Sequence, residues 1–464
     1  MTNSQLEAIL ALTDNSEIVK LLSVTSFAVP LWTDLLPQYD PMLHKIWDTV
    51  AYPVKLTETG QDDFKRTPLA LQKLAVSRIA QAMFSASTER KYSYLTGSDT
   101  EKKASSIIEQ VYRINNNIDS TNIERAKRVN ACCEVVTVWK VYDKPGTIEG
   151  EQVTKKLTHS IYSEMDGYKI YANNDENGEL LVVSIAYKDK ANVAYFDTYI
   201  NGVAPEFRRY VNRGGWKLDE TSTPSPLKLE VFPVVHTWLP EPVWGGKAGT
   251  ALVEQLEEME SFQGLYIKRN SLPTFTLDYG EITNNSPNEV TEKSTDSRHI
   301  ILVGKGGVMQ DVTWPGAKEA IADRYGRIRN SFFEQVQMPD ISFANMINSN
   351  TSAENKELLF SDAKAKARDL GGEWEKMFYD ELEIIKKFLA VLLPKYTNEF
   401  NSISIRSEIQ PYSVNSKKEL AEYISLAGGS MSLSTRVELL REVDDYASEV
   451  KAIEDELSVN NQII

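Results

Sequence analysis

Histidine and cysteine are scarce in this sequence, with four histidines and two cysteines among 464 residues. His44, His159, His236 and His299 share no HxxxH or HExxH spacing, so no zinc site is indicated. Cys132 and Cys133 are adjacent in a stretch that reads as a strand, where neighbours point to opposite faces. Consecutive residues seldom meet disulfide geometry, so both are expected to be structural, without a metal or redox role. Long apolar runs are missing as well. The longest, Phe388 to Leu393, is far too short to cross a bilayer. The N-terminus has no basic segment followed by an apolar core, so a soluble, non-exported product without a membrane partner is expected. Basic charge is also short: 66 acidic against 51 basic residues leave a net charge of −15. That balance argues against a protein that grips nucleic acid through phosphate neutralisation. It leaves room for one that lets DNA slide past.

Catalytic patterns are missing too. There is no GxSxG elbow, no CxxC and no Rossmann glycine pattern. Side-by-side acids such as Glu257-Glu258 and Asp444-Asp445 fall on different faces of a helix and suit solvation. Gly304-Lys305-Gly306-Gly307 lacks the glycine spacing and the Lys-Ser/Thr of a phosphate loop and reads as a hairpin turn. No cofactor, no metal and no enzymatic activity are expected, although folding could still assemble a carboxylate pair from distant residues.

What is present is a chain long enough for two to four domains, with 42% hydrophobic and 25% charged residues, as in ordinary globular proteins. Residues 1–60 are mixed. Thr67-Pro68 reads as the N-cap and first position of a helix whose apolar face is Leu71, Leu74, Ala75, Ile79, Ala82 and Met83. A second helix fits 100–113. From about 129 the period changes to two, with Cys133, Val135, Thr137, Trp139 and Val141 on one face. Further strands fit 156–163, 167–172, 179–188, 192–199, 206–212 and 227–238, separated by turn-rich pieces. This is an antiparallel β region with one face buried.

The most informative stretch is 247–393. A helix after Trp244-Gly245-Gly246-Lys247 carries Leu252, Leu256, Met259, Gln263 and Tyr266; a second carries Ile321, Tyr325, Ile328, Phe332 and Val336. Apolar positions spaced alternately four and three apart mark a narrow helix–helix seam. Between the helices, 272–316 reads as strands, with a polar, mobile stretch at 283–298 and a hairpin closed by Gly304–Gly307. A polar loop at 342–350 follows Met338-Pro339-Asp340-Ile341. Thr351 and Glu354 form a capping box opening a helix over 352–370. That helix bears Lys356, Lys364, Lys366 and Arg368, has acids nearby, and is closed by Gly371-Gly372. A strongly patterned helix, 373–393, then runs through Trp374, Phe378, Ile385, Leu389 and Leu392 to Pro394. The C-terminal region reads as a strand through Ile403, Ile405 and Ile409, a helix opened by Ser416 and Glu419, and two acidic helices near 434–442 and 445–457.

Three segments carry a resemblance covering about 60–460. One is Phe232-Pro233-Val234-Val235-His236 followed by Gly245-Gly246-Lys247-Ala248-Gly249-Thr250 and the first long helix. Another is Met338-Pro339-Asp340-Ile341 with Ser352-Ala353-Glu354. The third is Ile409-Gln410-Pro411 through Gly428-Gly429-Ser430-Met431-Ser432 to Val443-Asp444-Asp445 and Glu449. Their order and spacing resemble the portal (head-to-tail connector) proteins of tailed double-stranded DNA bacteriophages. Ala353 stands where the family often has glycine, and Asn355-Lys356 where Ala-Leu is common.

The resemblance implies an α+β portal fold with a β-rich wing, a two-helix stem, a small β-containing clip and a helical crown. In this chain, 1–247 and 337–412 would form the wing, 248–271 and 317–336 the stem, 272–316 the clip and 413–464 the crown. The stem seam would be Leu252, Leu256, Met259, Ile321, Ile328 and Phe332. By position, the channel would be lined by Asn345, Asn348, Ser349, Asn350, Lys356, Lys364, Lys366 and Arg368. The implied role is a homo-oligomeric ring, typically a dodecamer, made in the host cytoplasm and placed at the capsid vertex of the virion. It would serve DNA packaging, retention and ejection. The implied partners are the large terminase ATPase, a head–tail adaptor, the major capsid and scaffold proteins, and the duplex in the channel. Competing readings are another virion scaffold or tail-adaptor protein, which would lack the helix–clip–helix hairpin, and a nucleic-acid-processing enzyme.

Overall fold

The structure is a computed structural model, and it describes residues 1–53, 64–220, 225–226, 231–270, 274–279, 292–295, 298–304, 315–338, 361–410, 424–426, 432–440 and 449–453. The chain divides into two units, the first formed by 1–340 and 363–411, the second by 341–362 and 412–464.

The first unit opens with three helices, α1 (Asn3–Leu10), α2 (Asn15–Leu22) and α3 (Trp32–Tyr39). A capping box between Thr2 and Gln5 starts α1, and the Asp14 carboxylate caps α2. Next come α4 (Leu71–Phe84), strand β1 (Glu89–Ser93), α5 (Asp99–Glu109) and α6 (Ile118–Cys132). The β region holds β2 (Glu134–Ile148), β3 (Glu151–Tyr162), β4 (Lys169–Asn174), β5 (Leu180–Lys188), β6 (Ala194–Ile200), β7 (Glu206–Asn212), β8 (Trp216–Leu218), β9 (Ser225–Pro226) and β10 (Val234–Trp238). Strands β4 to β8 form an antiparallel meander in chain order, with β9 beside β7, while β10, β2 and β3 make a second sheet.

The meander is covered on both faces, not one. One face packs Val183, Ile185 and Tyr199 against Val136, Val138 and Val234 of the second sheet. The other packs Leu181, Val182 and Phe196 against Leu6, Ile18, Val19 and Leu22 of α1 and α2. The run Leu181-Val182-Val183 in β5 is the sequence trace of this double burial, because a strand covered on both sides loses its alternation.

The long helices follow: α7 (Gly246–Asn270), α8 (Pro315–Gln335), α9 (Ser361–Leu392) and the short α10 (Thr397–Ser402). Strand β14 (Ser404–Glu408) pairs antiparallel with β1, Tyr92 opposite Ile405. Between α7 and α8 lie β11 (Thr274–Tyr279), β12 (Glu292–Thr295) and β13 (Arg298–Gly304). Here β13 is central, parallel to β11 and antiparallel to β12. A strand thus occupies part of the 283–298 stretch read as mobile. The hairpin arm at 305–314 lies outside the described residues. In the second unit, α11 (Leu433–Leu440) is the described helix of eight residues, its start held by the Ser432 hydroxyl accepting from the Thr435 N–H; residues 449–453 are also helical.

Several boundaries differ from the sequence reading, each for a local reason. Thr67-Pro68 does not open α4; the helix starts at Leu71. The intervening N–H groups are engaged by α7 instead, Thr67 donating to Ser261 Oγ at 3.0 Å and Leu69 to Glu257 Oε1 at 2.7 Å. Cys132 closes α6 and Cys133 is its left-handed C-cap at φ +68°, so neither lies in a strand, though both are buried and unpaired as thiols. Gly371-Gly372 does not end a helix. The stripe Ala363, Ala367, Gly371, Trp374 and Phe378 stays buried across it, and α9 runs unbroken for 32 residues.

A polar rivet lies at the centre of the main core. Glu381 of α9 accepts from Arg125 of α6 at 2.6 and 3.0 Å, from Tyr112 Oη at 2.8 Å and from Trp139 Nε1 of β2 at 3.1 Å. Arg125 and Glu381 are both completely buried, so the pair is viable only because these extra donors replace water. Burial, aided by the Glu381 charge, pushes the Tyr112 hydroxyl well up.

His159, whose Nε2 lies 3.2 Å from Thr121 Oγ1, is affected by the same centre. Burial and then the Arg125 charge lower its pKa to about 4 from 6.5. A histidine with a depressed folded pKa contributes stability that is whole above the unfolded value and is lost as pH falls toward the folded one. Urea unfolding of His159→Asn should therefore show a flatter loss of stability than the parent between pH 6.5 and 4, with parallel behaviour above pH 7.

Candidate functional site

The start of α7 is shaped by glycine. Trp244 is fully buried and its indole N–H donates to the Ala131 carbonyl at 3.2 Å. Gly245 and Gly246, at φ +86° and +51°, turn the chain out of this anchor through backbone space that side chains disfavour. One turn later, the Gly249 N–H donates to the Gly245 carbonyl at 3.0 Å. A Cβ on Gly249 would collide with the Trp244 carbonyl oxygen and meet Phe332 of α8 at 3.5 Å. The Gly-Gly-Lys-Ala-Gly-Thr segment is thus a packing device that seats α7 against both the anchor and the end of α8.

From there α7 buries Val253, Leu256, Glu257 and Ser261 at helical spacing. Glu257 is tied to the N-terminal segment by His44, whose Nδ1 lies 2.6 Å from Glu257 Oε1 while Nε2 lies 3.0 Å from the Gln38 carbonyl. Of the six seam residues, Leu256 and Phe332 are fully buried in the main core. Leu252, Met259 and Ile328 are half-buried, and Ile321 is exposed.

Antiparallel packing of α7 and α8 follows from their neighbours, early α7 lying by Phe332 and later α7 by Ile321. Between them opens a groove of about 570 Å³ lined by Met259, Phe262, Ile321 and Arg324 among others. Phe262 is 48% exposed and Ile321 38%, so the seam buries its base end and leaves an apolar stripe open toward the β tip. Phe262 lies outside the four-three pattern and was not legible as a seam residue.

Asn345, Asn348, Ser349, Asn350 and Lys356 lie outside the described residues. Lys364, Lys366 and Arg368 stand in the first turns of α9, the two lysines half-buried and Arg368 exposed, beside the buried Ala363 and Ala367. Among the described residues, no cluster of His, Cys, Asp or Glu could hold a metal, and no helix is long and apolar enough to cross a membrane.

Two long antiparallel helices that leave a body of three sheets and several helices, carry a three-stranded tip and return define an α+β chain organised around a helical hairpin. Residues 251–462 match the family model of the phage portal protein, SPP1 Gp6-like. That match begins in the second turn of α7. No curated protein matches the chain. Among solved structures, a chain of the virion of a native gene transfer agent particle is similar at 11% identity, over 79% of this chain and 88% of that one. Its TM-score of 0.26 is too low to carry a structural argument.

Proposed function

We propose that the protein is the subunit of a portal ring, a dodecamer at one capsid vertex of a virion, through which double-stranded DNA enters, is retained and leaves. The observation that carries this reading is the portal-family match over 251–462. The long helical hairpin supports it. A closed ring joins subunits by heterologous contacts, and an apolar groove along α7 and α8 suits a neighbouring copy.

In this reading α7 and α8 are the stem, β11 to β13 belong to the clip, the two sheets and α9 to the wing, and the C-terminal segment to the crown. The clip docks a large terminase ATPase and then a head–tail adaptor, while the wing meets the major capsid and scaffold proteins. The role is structural. The energy for DNA movement comes from the docked motor, and the subunit itself has no catalysis and no cofactor.

A net charge of −15 fits a channel that guides the duplex without holding it, because tight binding needs many phosphate contacts. Lys364, Lys366 and Arg368, with Lys356, are assigned to what contact occurs, and Asn345, Asn348, Ser349 and Asn350 to an uncharged loop facing the duplex. Changing Lys364, Lys366 and Arg368 together to Gln should leave thermal stability within about 1 kcal/mol, as charges that still reach solvent contribute little to folding. Packaging in a reconstituted system should fall severalfold. Unchanged packaging alongside lost stability would assign these residues to the core instead.

A further inference from the structure

On a face of α7 roughly a third of a turn from the first groove, a second cavity of about 500 Å³ opens between Thr250, Val253 and Glu254 and the segment after α3. One of its lining side chains is unusual. Gln72 is completely buried, yet both its amide nitrogen and its amide oxygen lack a partner among the described residues. Buried amides are normally satisfied, so such a group points to a ligand that completes it.

The cavity also presents the carboxylates of Asp48 and Glu254, with the Lys45 ammonium and the His44 ring, already engaged by Glu257, on its wall. Glu254 makes no ion pair among the described residues. Burial, together with the charges of Glu258, Glu254 and Glu257, raises the pKa of the nearby Tyr52 hydroxyl. Around the opening, Met42 and Trp47 are exposed, at 63% and 39%. A buried amide and two acids within an aromatic and aliphatic border suit a guanidinium, which is planar, donates five hydrogen bonds and stacks on indole.

An arginine of this kind stands at the other groove. Arg324 of α8 is exposed and makes no ion pair among the described residues, whereas Arg327 beside it is engaged by Asp323 at 3.0 Å. We infer that the cavity containing Gln72 is a subunit socket, and that its occupant is the Arg324 side chain of the neighbouring copy. Seating Arg324 there brings the apolar border of the socket, Met42 and Trp47, against Phe262 and Ile321 of that copy. Two different surfaces then meet, as a closing ring requires, and a central arginine within an apolar border matches the anatomy of strong interfaces. This inference rests on the ring reading and specifies one of its contacts.

The test uses the full chain and four variants: Glu254→Arg, Arg324→Glu, the double exchange, and Gln72→Leu, each checked for parental circular dichroism. Ring content is measured by mass photometry at one protein concentration. Each single charge reversal should lower the ring fraction at least tenfold, and the double exchange should restore most of it. Gln72→Leu should keep or raise the melting temperature while lowering the ring fraction. Rings unaffected by the single reversals, or not recovered by the exchange, would overturn the socket and leave the portal reading standing. A parent chain that forms no ring would overturn both.

Discussion

Replacing Glu381 by leucine should cost about 3–5 kcal/mol of stability, because the Arg125 guanidinium would remain charged at the centre of the core with no counter-ion. The loss is not that of one contact. Glu381 takes hydrogen bonds from Arg125, Tyr112 and Trp139, so its removal leaves donors from three elements without an acceptor. The double variant Arg125→Met/Glu381→Leu should recover most of the loss, since an apolar pair of similar volume needs no partners. Urea denaturation of the three chains measures this directly. A single variant as stable as the parent would mean that water or another acceptor reaches the site.

The second large effect is expected at Gly249. Alanine there adds a single carbon, and on an exposed helix position it would be stabilising. Here the new carbon has no room, because its nearest neighbour is the Trp244 backbone oxygen, and Trp244 is held by its indole bond to Ala131. Overpacking of this kind costs about 1–3 kcal/mol. A backbone obstacle places Gly249→Ala near the top of that range and Gly249→Val beyond it. The damage should be local, so amide exchange ought to speed up in the first turns of α7 and the last turn of α8 before it does in the meander. A Gly249→Ala chain with parental stability and exchange would contradict the seating described for α7.

The contrast between Gly249 and Gly371 shows what the sequence can express. Both glycines sit in helices, and only packing distinguishes the one that seats a helix from the one that a helix passes through. The long helices were legible because their buried stripes are apolar; α7, α8 and the latter part of α9 fall within a few residues of their expected bounds. The strands of the meander were legible from the turn-rich pieces between them.

Helix α6 was not. Its buried face includes Asn122, Arg125 and Asn130, each fully buried, so hydrophobic periodicity does not report it. The sequence reading gives 114–128 no element and takes the helix's last residues, from about 129, into the neighbouring strand, which also misplaces Cys132 and Cys133. The N-terminal helices were missed for a related reason: they are eight residues each, too short to establish a period. The importance of α1 and α2 lies in what they cover, the second face of the meander, and His44 in the segment after α3 reaches the buried side of α7.

Leu256 and Phe332 fit the four-three pattern and are buried, but Val253, also buried, falls outside it. The groove at Phe262 and Arg324 depends on how α7 and α8 are rotated against each other, which spacing along one helix cannot specify. The socket depends on a glutamine whose significance is its missing partners, a property that exists only once the chain is folded.

The central claim is that this subunit closes into a ring. Mass photometry of the purified full chain, with negative-stain images of the same sample, tests it most directly. The account predicts annular particles and a main species near twelve times the 52.4 kDa subunit. A monodisperse monomer at every protein concentration would contradict it.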